Sequence, residues 1–154
     1  MTGMAPMTTR WLSDGQQSIW RAYLAGVARI DAHLDAELRP FGLDLGEYEI
    51  LVNLSEAEGH SLRMSDLALA VRQSRSRLTH TVTRMEKKGL LERVACPEDR
   101  RGVVAVLTDA GYALLVEAAP AHVRSVRDVF VDVVDADDFA AVGRAMRAVA
   151  TMGH

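Results

Sequence analysis

The sequence predicts a mainly α-helical fold of about six helices with one two-stranded β-hairpin. Three observations support this prediction. Apolar residues recur at helical spacing over most of the chain. Capping residues such as Ser, Thr and Asp precede these stretches, and Gly or Pro follows several of them. Between residues 91 and 107 the pattern changes to two short, β-branched runs around a turn-rich loop.

Composition describes an ordinary globular chain with an uneven distribution of charge. The 154 residues predict one domain, with 49% apolar and 25% charged residues. The net charge is -3, but residues 63–101 contain ten cations and five acids, a local charge of +5. A basic segment on an acidic scaffold is typical of nucleic-acid binding. Because there is no apolar leader and no run of the ~20 apolar residues that a membrane span needs, we expect no membrane association and a cytoplasmic protein.

The first predicted helix is the longest. Residues 1–12 look loose, and Ser13 with Gln16 forms an S-x-x-Q capping box. The helix should run from residue 14 to about residue 39, where Pro40 stops it. Its apolar stripe consists of Ile19, Trp20, Tyr23, Leu24, Val27, Ile30, Leu34 and Leu38. A stripe this long exceeds what a small core can cover, so it needs a partner surface, most simply a second copy of the chain.

The second helix is predicted by a second capping box, Asp44 with Glu47. It should continue through about residue 58 and be closed by Gly59. Its inward residues are predicted to be Tyr48, Leu51 and Leu54. Residues 59–63 are expected to form a loop.

Two short helices with a tight turn between them come next. Ser65 is predicted to cap the first of them and Ser74 the second, because a serine hydroxyl can accept a free backbone N–H of the first turn. The second of these helices covers residues 75–88, and Gly89 suits the left-handed residue that ends it. Its apolar face is formed by Leu78, Val82 and Met85.

The other faces of the helix 75–88 interleave short hydroxyls with long cations. The residues concerned are Ser74, Arg75, Ser76, Arg77, Thr79, His80, Thr83, Arg84 and Lys87. Cations reach phosphates, arginine can bind guanine through two hydrogen bonds, and Ser and Thr can approach base edges. A solvated helix face is the usual explanation of a charge run, but the run has one acid, Glu86, before Gly89. The spacing therefore favours a helix that reads DNA.

A β-hairpin follows this helix. Leu91–Ala95 and Val103–Leu107 are predicted strands, and residues 96–102 form a polar loop between them. The loop carries Arg100 and Arg101, which suit the minor groove of DNA because its negative potential attracts arginine.

Two helices complete the chain. Thr108 can cap the first, which should run to about residue 132 and be kinked or locally broken at Pro120. Asp135 with Asp138 opens the last helix, whose apolar residues are Phe139, Val142, Met146 and Val149.

The hairpin LLERVACPEDRRGVVAVLTDAG, following SRSRLTHTVTRMEKKGL, resembles the MarR family of bacterial winged-helix regulators. The wing of that family carries the pattern D-x-R-x-x-x-V-x-L-T-x-x-G. The residues present here are Asp99, Arg101, Leu107, Thr108 and Gly111. Ala105 stands where the family usually has valine, which loses a little packing.

The resemblance implies a mainly α, winged helix-turn-helix fold with an intertwined helical dimerisation region. Residues 1–154 would form a single domain, with a DNA-binding lobe at 44–107. The helices of 13–39 and 109–152 would form the dimerisation region. A homodimer would then bind a pseudo-palindromic, double-stranded operator as a transcriptional regulator, usually a repressor. The helix 75–88 would lie in a major groove and the loop 96–102 in the flanking minor groove.

The resemblance also implies two finer features. Asp99 is expected to stabilise the wing by pairing with Arg101. A small aromatic or phenolic anionic effector is expected between the dimer helices and the DNA-binding lobe. Trp20, Tyr23 and Tyr48 could line its pocket, although core packing is the more common role of aromatic residues at helical spacing.

Residue patterns for catalysis, metals or cofactors are missing from the sequence. The five histidines have no short paired spacing with cysteine or acids, and we expect no enzyme, metal or cofactor. The one cysteine, Cys96, rules out an intrachain disulfide framework. Two alternatives stay open: a redox-sensing regulator acting through Cys96, and a dimeric small-molecule-binding protein without DNA function. The second should have lost the cations of 75–101, which are present.

Overall fold

A computed structural model describes residues 9–153, so the expectation that residues 1–8 are loose lies outside the described residues. The described chain forms six α-helices and three β-strands. The helices are α1 (Asp14–Leu38), α2 (Leu45–Glu56), α3 (Met64–Ala70), α4 (Arg75–Lys87), α5 (Asp109–Val126) and α6 (Ala136–Ala150). The strands are β1 (Ser61–Arg63), β2 (Leu91–Ala95) and β3 (Val103–Leu107). None of these helices is long and apolar enough to span a membrane.

Helix α1 begins at the predicted capping box. The Ser13 hydroxyl accepts the Gln16 N–H at 3.2 Å, and the Gln16 side chain accepts the Ser13 N–H at 3.0 Å. The helix ends at Leu38, and a 3-10 turn over Arg39–Phe41 contains Pro40. Leu34 and Leu38 are buried, whereas the earlier part of the apolar stripe is exposed.

The hydrophobic core lies between α2, α3, α4, the sheet and α5. Its largest fully buried side chains are Leu38, Ile50, Leu51, Leu54, Leu67, Leu78, Val82, Met85 and Leu91. The core therefore holds α4 by its apolar face and leaves the opposite face outward. Helix α4 ends as predicted, with Gly89 at a φ of 74° that favours glycine.

The sheet has three strands, one more than the sequence predicted. Strand β1 pairs antiparallel with β3, so the order is β1-β3-β2, with Leu62 and Arg93 both opposite Ala105. The prediction of a loop over 59–63 was wrong. A strand of three residues is too short to show a period and is defined by its pairing partner. The extra strand joins strand β3 of the wing to the segment that leads into α3.

Two predicted helix starts are corrected by the structure. Helix α3 begins at Met64, directly after β1, and its N-cap is Arg63 without a side-chain cap, so Ser65 lies in the first turn. Asp44 does cap α2, accepting the Glu47 N–H at 2.7 Å. The Glu47 carboxylate does not return to complete a capping box, because it is bound to cations of α4.

Helix α5 continues through Pro120, so of the predicted kink or local break the break does not occur. Proline leaves the carbonyl four residues earlier without its helical partner. Pro120 and Val116 are both exposed, so water can replace the lost hydrogen bond. The irregular part is a π-helical turn over Arg127–Val131, after which Asp135 caps α6 by accepting the Asp137 N–H at 2.9 Å.

Candidate nucleic-acid interface

Helix α4 presents the predicted polar residues on its outer surface. The Ser74 hydroxyl accepts the Arg77 N–H at 3.3 Å, so the predicted N-cap is confirmed. Thr83 is half-buried, and the other predicted residues of this surface are exposed: Ser74, Arg75, Ser76, Arg77, Thr79, His80, Arg84 and Lys87. The Thr79 and Thr83 hydroxyls donate to helix carbonyls one turn earlier, which leaves their oxygens free to accept.

A groove of about 720 Å³ separates α4 from the wing. Its walls bring Arg75 and Thr79 of α4 together with Arg100 and Arg101 of the wing. A strip of positive charge beside an exposed helix can hold a phosphate backbone.

Three residues at this surface were not predicted as site residues. Arg63 and Ser65 line the groove at its inner end because β1 leads directly into α3. Arg72 lies in the turn before α4, with a left-handed φ of 54°. The local charge excess was the signal that could have identified the two arginines.

The remaining part of the α4 surface faces away from the wing, toward α1 and α6. Ser76, Arg77, His80 and Arg84 line a broad depression bounded by α1 and by the end of α6. The structure therefore divides the predicted residues of α4 into a side next to the wing and a side next to the long helices.

Ion pairs divide the ten cations of residues 63–101 into two groups. Four are paired: Arg63 with Asp99 at 3.7 Å, Arg84 with Asp44 at 3.1 Å and Glu47 at 3.2 Å, Lys88 with Glu47 at 2.8 Å, and Arg93 with Glu86 at 3.3 Å. Within residues 9–153 the other cations form no ion pair: Arg72, Arg75, Arg77, Lys87, Arg100 and Arg101. Unpaired cations are the ones available to phosphates and bases.

Arg84, predicted as a DNA-binding residue, has its guanidinium hydrogen-bonded within the chain. Its Nε and Nη2 donate to Glu47 Oε1 at 3.3 and 3.2 Å, and Nη2 also donates to Asp44 Oδ2 at 3.1 Å. To bind a guanine edge with Nε and Nη2, Arg84 would have to exchange these bonds for bonds to the base. The acids lie 37 and 40 residues away in sequence, beyond any local signal.

Asp99 stabilises the wing by a contact other than the predicted one. Its Oδ1 accepts the backbone N–H of Arg101 at 3.0 Å, while Oδ2 lies 3.7 Å from Arg63 Nη1. The Arg101 guanidinium is therefore not paired with Asp99 and stays exposed. Cys96 is buried at the base of the wing, and its N–H donates to the Gly102 carbonyl at 2.9 Å.

Glu86 connects the end of α4 to β2. Its carboxylate accepts hydrogen bonds from the Arg93 guanidinium and from the Arg93 N–H. These bonds, the side-chain bond above all, lower the pKa of Glu86. Glu86, the one acid among the polar residues of α4, therefore neutralises Arg93 of β2 and not the exposed cations of α4.

The three aromatic residues predicted for an effector pocket do not share one site. Trp20 and Tyr23 stack at 5.7 Å on α1, where both are partly exposed. Tyr48 is buried and packs on His122 of α5 with ring centroids 4.2 Å apart. Tyr48 lines a cavity of about 240 Å³, which shares Asp31, Leu45 and Glu49 with the depression that Tyr23 lines.

The cavity beside Tyr48 is acidic. Its polar lining comes from Asp31, Glu49, Asn53 and His122. Burial raises the pKa of Glu49, with a smaller contribution from Asp31, while Arg72 lowers it. Burial lowers the pKa of His122, whose buried Nδ1 has no hydrogen-bond partner among the described residues. Across residues 9–153 no three His, Cys, Asp or Glu side chains form a group that could hold a metal ion.

The chain is similar to several known regulators. The profile described as MarR family matches residues 43–103. The crystal structure of AbsC, a MarR family transcriptional regulator from Streptomyces coelicolor, has 47% sequence identity and a TM-score of 0.86, covering 92% of this chain and 96% of AbsC. That of Sco3205, a MarR family regulator from the same organism in complex with DNA, has 39% identity and a TM-score of 0.89, covering 94% of this chain and 91% of Sco3205.

The relatives found by sequence comparison align over a smaller part of their length than AbsC and Sco3205 do. The transcriptional regulator PecS of Dickeya dadantii is 33% identical over 101 residues, which are 65% of this chain. The aligned part spans 61% of the length of PecS. The match to AbsC extends over almost all of both proteins. From that match and the profile match over the helix-turn-helix and most of the wing, the chain belongs to the MarR family of transcriptional regulators.

Proposed function

We propose that this protein is a homodimeric repressor that binds a pseudo-palindromic operator in double-stranded DNA. The observation that carries the proposal is a set of exposed cations that form no ion pair within residues 9–153. Arg75, Arg100 and Arg101 lie along the groove between α4 and the wing, Arg77 lies on the side of α4 next to the long helices, and Lys87 is at the end of α4. The DNA-bound structure of Sco3205 supports it, because that relative has the same fold at 39% identity. Acting on chromosomal DNA would place the protein in the cytoplasm.

In the proposed complex α4 occupies a major groove, which is wide enough to admit a helix. Arg77, which is exposed and unpaired, is the best candidate for reading a base. Arg100 and Arg101 approach the flanking minor groove. Arg75 lines the groove between helix and wing, where a phosphate backbone would pass.

Dimerisation is supported by apolar side chains that α1 and α6 leave exposed. On α1 they are Ile19, Trp20, Tyr23, Leu24 and Val27, and on α6 Phe139, Val142, Met146 and Val149. Large exposed apolar patches on a protein mark interaction surfaces. Sedimentation should therefore detect a dimer at micromolar concentration, whereas a stable folded monomer would contradict the proposal.

Selection of DNA fragments from the protein's own genome tests the DNA-binding function. The wild-type protein should enrich fragments with an inverted repeat. A variant combining Arg75→Ala, Arg77→Ala and Lys87→Ala should enrich none, although it remains folded and dimeric. If the wild-type protein enriches no sequence, the alternative of a dimeric small-molecule-binding protein without DNA function replaces the proposal.

We further infer that the cavity beside Tyr48 would take a neutral or cationic aromatic effector and not the phenolic anion implied by the family resemblance. Among the described residues the lining has two carboxylates, Asp31 and Glu49, and no arginine or lysine; Arg72, which lowers the pKa of Glu49, lines the adjoining depression. An anion placed there would meet like charge in a partly buried site.

Benzylamine and benzoate are a matched pair of probes for this cavity. Benzylamine should weaken binding to the selected operator more than benzoate does, and Glu49→Gln should reduce that difference. Glu56→Gln, at the end of the same helix, is the control. If benzoate is the stronger of the two and Glu49→Gln changes nothing, the cavity does not prefer cations.

A further inference from the structure

The start of α2 is a junction of three helices. Asp35 of α1 accepts the Leu45 N–H at 3.1 Å, which connects α1 to the first turn of α2. Asp44 caps α2 with one carboxylate oxygen and binds Arg84 of α4 with the other. We call the residues Asp35, Asp44, Glu47, Arg84 and Lys88 the α2 junction.

Glu47 is the centre of this junction. Its side chain is 3% exposed, and both carboxylate oxygens are occupied. Oε1 accepts from Arg84 at 3.2 Å, and Oε2 accepts from Lys88 at 2.8 Å. Lys88 also donates to the Gly42 carbonyl at 2.8 Å, in the connection between α1 and α2. A buried carboxylate is strongly disfavoured without such partners, so both cations are held close to α2.

Directional bonds restrain α4 in a way that apolar packing alone does not. Leu78, Val82 and Met85 bury one face of α4, but packed helices can still slide by small amounts. The α2 junction adds bonds from two successive turns of α4, at Arg84 and Lys88, to one carboxylate. Both cations stay about half exposed while their charged groups bind the buried carboxylate.

We propose that Glu47, acting through Arg84 and Lys88, is a positioning residue that sets the separation of the two reading helices and thereby the spacing of the operator half-sites. The proposal rests on the proposed function, in which α1 belongs to the dimer interface and each α4 reads one half-site. The path from α1 through Asp35 and α2 to α4 is then what places each reading helix relative to the two-fold axis.

The test uses the full-length protein and a set of operators whose half-sites are separated by the selected spacer or by one or two base pairs more or fewer. Wild type should bind the selected spacer at least about tenfold more tightly than the others, because the geometry of a dimer defines half-site spacing. Glu47→Gln, which keeps the shape but loses the charge, should reduce that preference to about threefold or less without changing base preference within a half-site. Glu56→Gln removes the same charge from an exposed position of the same helix and should behave as wild type.

Circular dichroism first establishes that each variant is folded at the assay temperature. If Glu47→Gln does not fold, Lys88→Gln serves instead. It should also reduce the preference for the selected spacer, but by a smaller factor. Folded variants that keep the wild-type spacer preference, or lose affinity equally for every spacer, would overturn the inference. Failure of the wild type to prefer any spacer would instead count against the proposed dimeric function.

Discussion

Arg77 and Arg84 lie two turns apart on α4, yet their side chains have different partners. Arg77 is exposed without an ion pair among the described residues, whereas Arg84 binds Glu47 and Asp44. In the proposed function, Arg77 would read DNA and Arg84 would hold the reading helix in place.

Arg77→Ala is expected to relax base preference at one operator position in both half-sites. An arginine with two hydrogen bonds to guanine contributes ~1–3 kcal/mol against the wrong base. The measurement is binding to a panel of single-base operator variants. A uniform loss of affinity over the whole panel would show that Arg77 contacts only phosphate.

Arg84→Ala is expected to lower the free energy of unfolding by about 1–3 kcal/mol, because it removes hydrogen bonds to a buried carboxylate that Lys88 alone then neutralises. Arg77→Ala is the matched control and should change the free energy of unfolding by less than about 0.5 kcal/mol, as most surface substitutions do. Urea denaturation of both variants measures the difference. Equal stability of the two would mean that the bonds of Arg84 are not formed in solution.

Cys96→Ser is expected to leave DNA binding unchanged, with or without peroxide. The thiol is 9% exposed beneath the wing, and Cys96 is the one cysteine of the chain. Operator binding is compared before and after oxidant treatment. If wild type releases DNA on oxidation and Cys96→Ser does not, the redox alternative is correct.

At the scale of elements, the wing combines a supported base with free arginines at its tip. Asp99 and strand β1 hold the base, and within residues 9–153 Arg100 and Arg101 form no ion pair. Replacing either arginine by alanine should weaken binding to all sequences similarly and reduce the slope of log K against log salt by about one. Arg124→Ala removes the same charge from α5 and should leave the slope unaltered, and a sequence-dependent effect of Arg100→Ala would contradict this role.

The contact between α2 and α5 is expected to depend on pH through His122. Because burial lowers the pKa of His122, the imidazole takes up a proton less readily in the folded protein than in the unfolded chain. The free energy of unfolding should therefore decrease as the pH falls below about 6.5, the ordinary pKa of histidine, toward the lower pKa of the folded state. Glu49, whose pKa is raised, acts in the opposite direction.

The contribution of His122 is isolated by comparing wild type with His122→Gln. Melting temperatures at pH 7.5 and pH 5.5 should differ more for the wild type than for the variant. An identical difference in the two proteins would show that His122 is not buried beside Tyr48 in solution.

Features decided within a few residues were predictable from the sequence. Ser13, Ser74 and Gly89 act on their own backbone or on the next turn, and the structure confirms all three. Strand β1 was missed because its identity depends on β3, which is distant in sequence. The acidic partners of Arg84 were missed for the same reason, because they lie 37 and 40 residues away in the sequence.

At the scale of the whole molecule, the proposed function requires two copies of α4 on one side of a duplex. The exposed faces of α1 and α6 provide the surface for association. A two-fold dimer should protect two equal blocks of operator whose centres are about one helical turn, ~10–10.5 base pairs, apart.

Footprinting of the wild-type protein on a selected genomic fragment tests this claim most directly. Hydroxyl-radical cleavage should be suppressed in two blocks related by a two-fold axis, each flanked by minor-groove protection that disappears in the Arg100→Ala, Arg101→Ala double variant. Dimethyl sulfate should report protected guanine N7 in the major groove of each block. A single asymmetric block, or protection of the minor groove without the major groove, would contradict the assignment of α4 as the reading helix of a dimer.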